Sequence, residues 1–289
     1  MPEGDTVLAA ANNLHRVLAG NTLVRGDLNW PSAPAQGIVG CRVIEVDAYA
    51  KHMFFRLDNG TSVRTHLRME GVWSIVPAQS REARRPSPHV RAQLATETTA
   101  CLGYWLGMLD VLPTVKEADL LAHMGPDILS DRFVPTPFLS RARLDPTLRI
   151  APRRASGGLG GNPPELSDDW WRLGIARYEA EVQSRPIGES MLDQTLVSGM
   201  GTIYLAEGLF AMKVSPWRPI GEVDVPRLLA STRQNMIRSV TDYPRGRRHH
   251  AHGRVGEPCH ACGTLMKVAQ VGPPLKERPA FYCPRCQEK

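Results

Sequence analysis

Residues 259–286 read Cys259-His-Ala-Cys262-Gly-Thr-Leu-Met-Lys-Val-Ala-Gln-Val-Gly-Pro-Pro-Leu-Lys-Glu-Arg278-Pro-Ala-Phe-Tyr-Cys283-Pro-Arg-Cys286. Two C-x-x-C knuckles are separated by twenty residues. Each knuckle sets two thiolates on one turn, near enough to share a metal. In a chain with no export signal this pattern predicts a tetrahedral zinc site rather than disulfides. Four thiolates leave no open coordination position, so the expected ion is structural, one per chain. The other two cysteines, Cys41 and Cys101, stand alone and are expected to pack as small hydrophobes.

The charge of the chain gathers around this ribbon. Residues 240–289 hold nine Lys and Arg against four Asp and Glu, a surplus of five out of a net +6. Such a localised basic field faces an anionic polymer or forms a solvated basic tail, and charge alone leaves both open.

Toward the N-terminus, Gly188-Glu-Ser-Met-Leu-Asp193-Gln194-Thr-Leu-Val-Ser-Gly199-Met-Gly201-Thr202-Ile-Tyr204 reads as two helices joined by a tight Gly-Met-Gly turn. Thr202 is placed to cap the second helix, whose N-terminus favours a phosphate. An ordinary helical hairpin would read the same way. The spacing predicts helices over 187–198, 202–213 and 225–240. Ahead of them, Ser167 caps a predicted helix through Trp170, Trp171, Ile175 and Tyr178, whose aromatics are expected in the core rather than on a base-stacking surface. The Gly-, Pro- and Arg-rich residues 151–164 read as a linker or insertion.

Residues 22–112 have strand texture. Arg42–Val46 and Met53–Leu57 alternate, Asp58-Asn59-Gly60 is a hairpin turn, and the pattern continues through 61–76 and 90–112. Ser80–Pro88 is polar and basic and reads as an exposed loop. Residues 6–19 read as a helix capped by Thr6, with Val7, Leu14, Val17 and Leu18 as its apolar stripe. Hydrophobic residues at 42% and charged residues at 22% are those of a globular chain and exclude wholesale disorder. No apolar run approaches the ~18 residues of a membrane span, and the N-terminus carries no apolar signal segment, so a cytosolic protein is expected.

The N-terminus carries the chemistry. Pro2 is small enough for Met1 to be removed, which would expose a secondary amine. An α-amino group titrates near 8, about two units below lysine, so part of it is neutral at physiological pH. Its attack on a sugar C1′ gives an iminium, an electron sink for elimination. Glu3 stands beside it as a proton donor and acceptor. The dipeptide alone does not decide the matter, because Met-Pro-Glu also arises by chance.

Taken in order, these motifs resemble the formamidopyrimidine-DNA glycosylase/endonuclease VIII family. The resemblance rests on Pro2-Glu-Gly-Asp5, Tyr49-Ala-Lys51-His52, His66-Leu-Arg-Met69-Glu-Gly71, His123-Met-Gly-Pro-Asp127, Leu192-Asp-Gln194 followed by Gly199-Met-Gly-Thr-Ile-Tyr204, and the four-cysteine ribbon. The stretches Pro2-Glu-Gly-Asp-Thr6 and Leu106-Gly-Met-Leu-Asp-Val111 are most similar to the actinobacterial endonuclease VIII branch.

The resemblance implies an α+β multidomain fold. Residues 1–133 would form a β-sandwich with flanking helices. Residues 134–250 would form a helix–two-turn–helix domain with an insertion at about 145–182, and residues 251–289 a zinc ribbon. DNA would lie between the domains. The chain would be a monomeric cytoplasmic, nucleoid-associated enzyme of base excision repair, with damaged DNA as its partner and no membrane contact. Pro2 would attack C1′ of an everted nucleoside, and Glu3 would protonate the ring oxygen. Lys51 would contact a phosphate beside the lesion and Met69 would enter the vacated space. Thr202 would contact the DNA backbone from the helical hairpin. Arg278, five residues before Cys283, would clamp a phosphate from the finger.

The expected reaction is excision of oxidised bases, pyrimidines first and purines as the alternative, with strand cutting by β,δ-elimination. A non-catalytic protein of the same scaffold that recognises abasic or gapped DNA is the second reading. Two departures mark this chain. Thr202 replaces the family's asparagine. The family's Asp-Pro-Arg-Arg-Phe loop is absent, its place taken by Leu102-Gly-Tyr-Trp-Leu-Gly-Met-Leu109, which leaves Met69 to fill the gap alone.

Overall fold

The structure is a computed structural model and describes residues 2–31, 37–131, 170–242 and 249–288. The linker at 151–164, the Ser167 cap, most of the 145–182 segment and the arginines at 245, 247 and 248 lie outside the described residues. The described chain forms two compact units, one ending at Ala122 and one starting at His123.

The first unit opens with helix α1 (Gly4–Leu18), followed by strands β1 (Arg25–Leu28), β2 (Val43–Tyr49), β3 (His52–Leu57), β4 (Thr61–His66) and β5 (Val72–Pro77). A short helix α2 (Arg81–Arg84) precedes β6 (Val90–Ala95), β7 (Thr99–Tyr104), β8 (Met108–Pro113) and α3 (Glu117–Leu121). The strands make two antiparallel four-stranded sheets, β1-β6-β7-β5 and β2-β3-β4-β8. The chain crosses from one sheet to the other between β4 and β5 and returns between β7 and β8. Met53, Phe55 and Leu57 share one face of β3 by its period of two. Phe55 meets Trp73 of the other sheet at 5.0 Å between ring centroids, so this face is the sandwich core.

The opposite face of β3 carries Phe54 and Arg56. Arg56 is buried, and its guanidinium reaches Glu117 of α3 (2.8 Å), Glu45 (2.7 Å) and Asp47 (3.3 Å). Three carboxylates around one guanidinium satisfy its fork of donors, the condition under which a buried charge is tolerated. The Asp58-Asn59-Gly60 hairpin forms as expected, with Gly60 at φ +79 and Asn59 accepting from the Thr61 amide.

The second unit holds α4 (Trp170–Glu179), α5 (Ile187–Leu192), α6 (Thr202–Met212), α7 (Val225–Thr241) and the hairpin β9 (Lys267–Val271) with β10 (Arg278–Tyr282). Trp170, Trp171 and Tyr178 are buried, as core residues should be. Residues 123–131, placed above in the N-terminal domain 1–133, hydrogen-bond inside this unit: Gly125 N–H donates to Gln194 O (2.7 Å) and Ile128 N–H to Ser198 O (3.1 Å).

Four local expectations are corrected. Helix α1 starts at Gly4 with Glu3 as its N-cap, so Thr6 lies inside the first turn. Ser80–Pro88 is not all loop, because the Ser80 hydroxyl accepts the Ala83 amide and starts α2. Helix α5 stops at Leu192 rather than 198. Asp193 turns extended, and its carboxylate takes the Thr195 amide and hydroxyl instead of continuing the helix. Thr202 does not cap α6. The Gly201 carbonyl already accepts from Leu205 N–H (2.9 Å), which makes Gly201 the N-cap and Thr202 the first helical residue. In addition, Cys101 is buried as expected, whereas Cys41 is half-buried near the surface.

Candidate active site and DNA-binding elements

One end of the sandwich collects the predicted catalytic residues of the first unit. Tyr49 pairs with His52 across a two-residue turn, Ala50-Lys51, and His52 pairs with His66, which pairs with Met108. Val72 pairs with Tyr104. The β2–β3 turn, the β4–β5 loop (67–71) and the β7–β8 loop (105–107) therefore lie side by side. Helix α1 brings the N-terminus there too. Gly20 N–H donates to Val43 O (2.8 Å) and His15 Nδ1 accepts from Val46 N–H (3.2 Å), so α1 runs antiparallel to β2. Its N-terminal end thus points toward the Ala50-Lys51 turn.

Pro2 is half-buried at that end and Glu3 is 0% exposed. A carboxylate taken wholly from water needs partners, and Glu3 has them. Asp5 is buried two residues on, in the first turn of α1, and the positive end of the α1 dipole favours both acids there. Lys51 is half-buried on a turn whose first residue, Ala50, sits at φ +52. Met69 is 64% exposed on a tight loop. In that loop Gly71 N–H donates to Leu67 O (2.9 Å), and a Cβ at Gly71 would meet Leu67 O at 2.5 Å, so only glycine fits.

His66 joins these pieces, and the sequence reading gave it no role. Its Nδ1 accepts from the Arg68 amide (2.8 Å), which shapes the loop carrying Met69. Burial first, then the charges of Arg68, Lys51 and Arg64, push its pKa down to about 4. The ring is therefore neutral at physiological pH and keeps Nδ1 available as an acceptor. Of these cations, Arg64 is itself paired with Asp110 (2.5 Å).

In the second unit the loop between α5 and α6 is stitched by Gln194. Its side-chain amide donates to Leu192 O (3.1 Å) and Met200 O (3.0 Å), and its Oε1 accepts from Gly199 N–H (3.0 Å). Gly199 sits at φ +103, open to glycine at little cost. Gly125 presses on this loop so closely that a Cβ would meet Leu196 O at 2.3 Å. Thr202 is buried at the start of α6.

The four cysteine sulfurs lie within 4.8 Å of one another. Cys259 and Cys286 are 4.0 Å apart, Cys262 and Cys283 3.5 Å. Four thiolates bound to one tetrahedral ion at about 2.3 Å stand roughly 3.8 Å apart, so this geometry fits a metal ion. The donors fit as well: the hydrogen bond shared with Cys262 and then burial push the Cys286 thiol up, and a bound cation would let the four clustered sulfurs lose their protons together. Glu207 of α6 seats the ribbon on the helices, accepting the backbone N–H groups of His250 (2.9 Å), Ala251 (2.9 Å) and His252 (2.9 Å). Arg278 opens β10 and is exposed. Pro2, Glu3, Lys51 and Met69 thus belong to the first unit, whereas Thr202, Arg278 and the four cysteines belong to the second.

Residues 1–105 match the family described as formamidopyrimidine-DNA glycosylase N-terminal domain. Over 99% of its length the chain is 33% identical to a Streptomyces coelicolor protein named probable endonuclease 8 2, covering 94% of it. It is 31% identical to a DNA-(apurinic or apyrimidinic site) lyase of Mycolicibacterium smegmatis, over 99% of each chain. Its fold matches the crystal structure of Lactococcus lactis formamidopyrimidine-DNA glycosylase bound to DNA containing an abasic site, with a TM-score of 0.74 and 16% identity over the whole of both chains. The architecture is that of a DNA glycosylase scaffold. The chain belongs to the formamidopyrimidine-DNA glycosylase/endonuclease VIII family.

Proposed function

We propose that this chain is a bifunctional DNA glycosylase/AP lyase of base excision repair whose nucleophile is the Pro2 nitrogen. The observation that carries the reading is the junction of a fully buried Glu3 with an N-terminal proline, at the sandwich end that also presents Lys51 and Met69. Full-length similarity to proteins named endonuclease 8 and abasic-site lyase supports it.

In this mechanism the target nucleoside leaves the stack, because C1′ is out of reach inside a duplex. The Pro2 nitrogen bonds to C1′ as the glycosidic bond breaks, and the base departs with a proton. Glu3 protonates the ring oxygen, which opens the sugar and leaves an iminium. Loss of a C2′ proton into that electron sink expels the 3′ phosphate, and a second elimination expels the 5′ phosphate. Water then releases the sugar remnant and frees Pro2. Lys51 holds a phosphate next to the reacting sugar. The substrates are oxidised bases, pyrimidines first and purines as the alternative, an order that rests on the resemblance to the endonuclease VIII branch.

The ion held by Cys259, Cys262, Cys283 and Cys286 is zinc in this reading. It fixes the β9–β10 finger and leaves no open position for chemistry. The chain acts as a monomer in the cytoplasm, on the nucleoid; among the described residues no helix is long and apolar enough to cross a membrane. Cys283→Ser is expected to release the metal and weaken DNA binding. Metal analysis and binding measured on one preparation check this, and full binding by a metal-free chain would contradict it.

Arg278 carries a phosphate contact from the exposed start of β10. Arg278→Ala is expected to weaken binding to all sequences while zinc stays bound. Each neutralised phosphate adds about −0.9 to the slope of log K against log salt, so the slope should become shallower by about one unit. An unchanged slope would move the phosphate contacts to the basic run 245–250. The reading as a whole is tested by borohydride trapping on an abasic oligonucleotide, since only an enzyme that forms an imine becomes covalently attached. A chain that binds such DNA without being trapped would be the non-catalytic protein instead.

A further inference from the structure

We propose that Trp105 enters the base stack of damaged DNA beside Met69, so that this chain opens the duplex with a two-residue wedge built from neighbouring loops. The inference rests on the glycosylase reading and adds to it a residue for which the sequence gave no signal. Five of the six tryptophans are buried or half-buried, whereas Trp105 is 46% exposed. Its backbone stands at φ +47, a conformation that a bulky residue adopts only against strain. Trp105 N–H donates to His89 O (3.0 Å), which ties this backbone to the residue before β6. The His89 ring at 5.2 Å and the Tyr104 ring at 5.8 Å flank the indole and limit its swing.

The placement is specific. The described residues other than glycine with left-handed backbone are Ala50, Arg68, Trp105, Lys213 and Leu275. All three in the first unit lie at the active end of the sandwich. Ala50 precedes Lys51, Arg68 precedes Met69, and the third is Trp105 itself. The last two loops are locked together. Gly107 N–H donates to His66 O (3.0 Å), and the Arg68 side chain fills the space above Gly107, where a Cβ would fall 2.0 Å from Arg68 Cγ. A large exposed apolar side chain therefore stands on each of two adjoining loops, with Arg68 packed between them and Lys51 on the neighbouring β2–β3 turn. Cations around an exposed aromatic ring suit a nucleobase with its phosphates better than an uncharged partner. The gap that the missing Arg/Phe loop would leave to Met69 alone is thus filled by tryptophan.

The test uses a duplex with a stable abasic-site analogue and 2-aminopurine as the facing base. Wild type should perturb the 2-aminopurine fluorescence on binding. Trp105→Ala should abolish that change and weaken binding about 10- to 100-fold, the scale of one lost base–aromatic stack. The salt slope should hold, because stacking releases no counterions. Trp105→Phe should restore most of the fluorescence change and affinity. The proposal is overturned if Trp105→Ala keeps the fluorescence change, if its salt slope becomes shallower by a full unit, or if Phe fails to rescue it. A wild-type chain that is not trapped by borohydride would instead sink the glycosylase reading, whatever these binding data show.

Discussion

A chain with one uncleaved residue joined to the Pro2 nitrogen should lose borohydride trapping down to background, and strand cutting should fall on the order of 10³-fold or more. That is the scale on which loss of a covalent nucleophile acts. The reason is electronic. An amide nitrogen shares its lone pair with the carbonyl and cannot attack C1′. Pro2 lies outside α1 and half-buried, so the extension leaves the packing of Val7, Leu8 and Leu14 untouched. Binding to an uncleavable abasic analogue should therefore stay close to wild type. Single-turnover cutting and trapping on the same oligonucleotide check the prediction, and full trapping by the extended chain would assign the nucleophile elsewhere.

Glu3→Gln should slow release of a damaged base by about 10²- to 10⁴-fold, the usual contribution of a positioned acid–base group. Cutting at a preformed abasic site should fall much less. Its base is already gone, and its sugar spends part of its time ring-opened without help from Glu3. The substitution keeps the side-chain size in a site with no exposure, and it keeps the backbone carbonyl that accepts from Val7 N–H (3.1 Å) at the start of α1. Single-turnover rates on a damaged-base duplex and on an abasic duplex separate the two steps. Equal loss on both, with a lowered melting midpoint, would make Glu3 a helix-capping residue rather than a proton donor.

The corrections share a cause. Thr202 offered a hydroxyl at a helix start, but the cap went to Gly201 because the helix begins where a carbonyl first meets an amide four residues on. The helix expected over 187–198 contains Asp193, whose carboxylate competes for local amides and won. Both outcomes turn on a hydrogen bond choosing between two nearby partners, which a residue pattern cannot rank.

The sequence by itself determined what depends on local chemistry and spacing. Two C-x-x-C pairs specify a four-sulfur cluster, Asp58-Asn59-Gly60 specifies a hairpin, and the alternating runs from 43 to 113 specify strands. The order of short motifs marked the family. Tertiary structure alone decided which residues meet. Glu207 accepts amides more than forty residues away, Gly125 closes on the loop after α5, and His66 sits among Lys51, Arg64 and Arg68. Trp105 is the sharpest case. Its sequence context, Gly-Tyr-Trp-Leu-Gly, suits a buried strand end as well as an exposed tip. The pairing of β4 with β8 and of β5 with β7 set its loop against that of Met69, where the indole is 46% exposed. Turn chemistry and alternation set register within a hairpin, but which distant strands become neighbours, as β4 with β8, is a long-range outcome of sheet packing that no local pattern encodes.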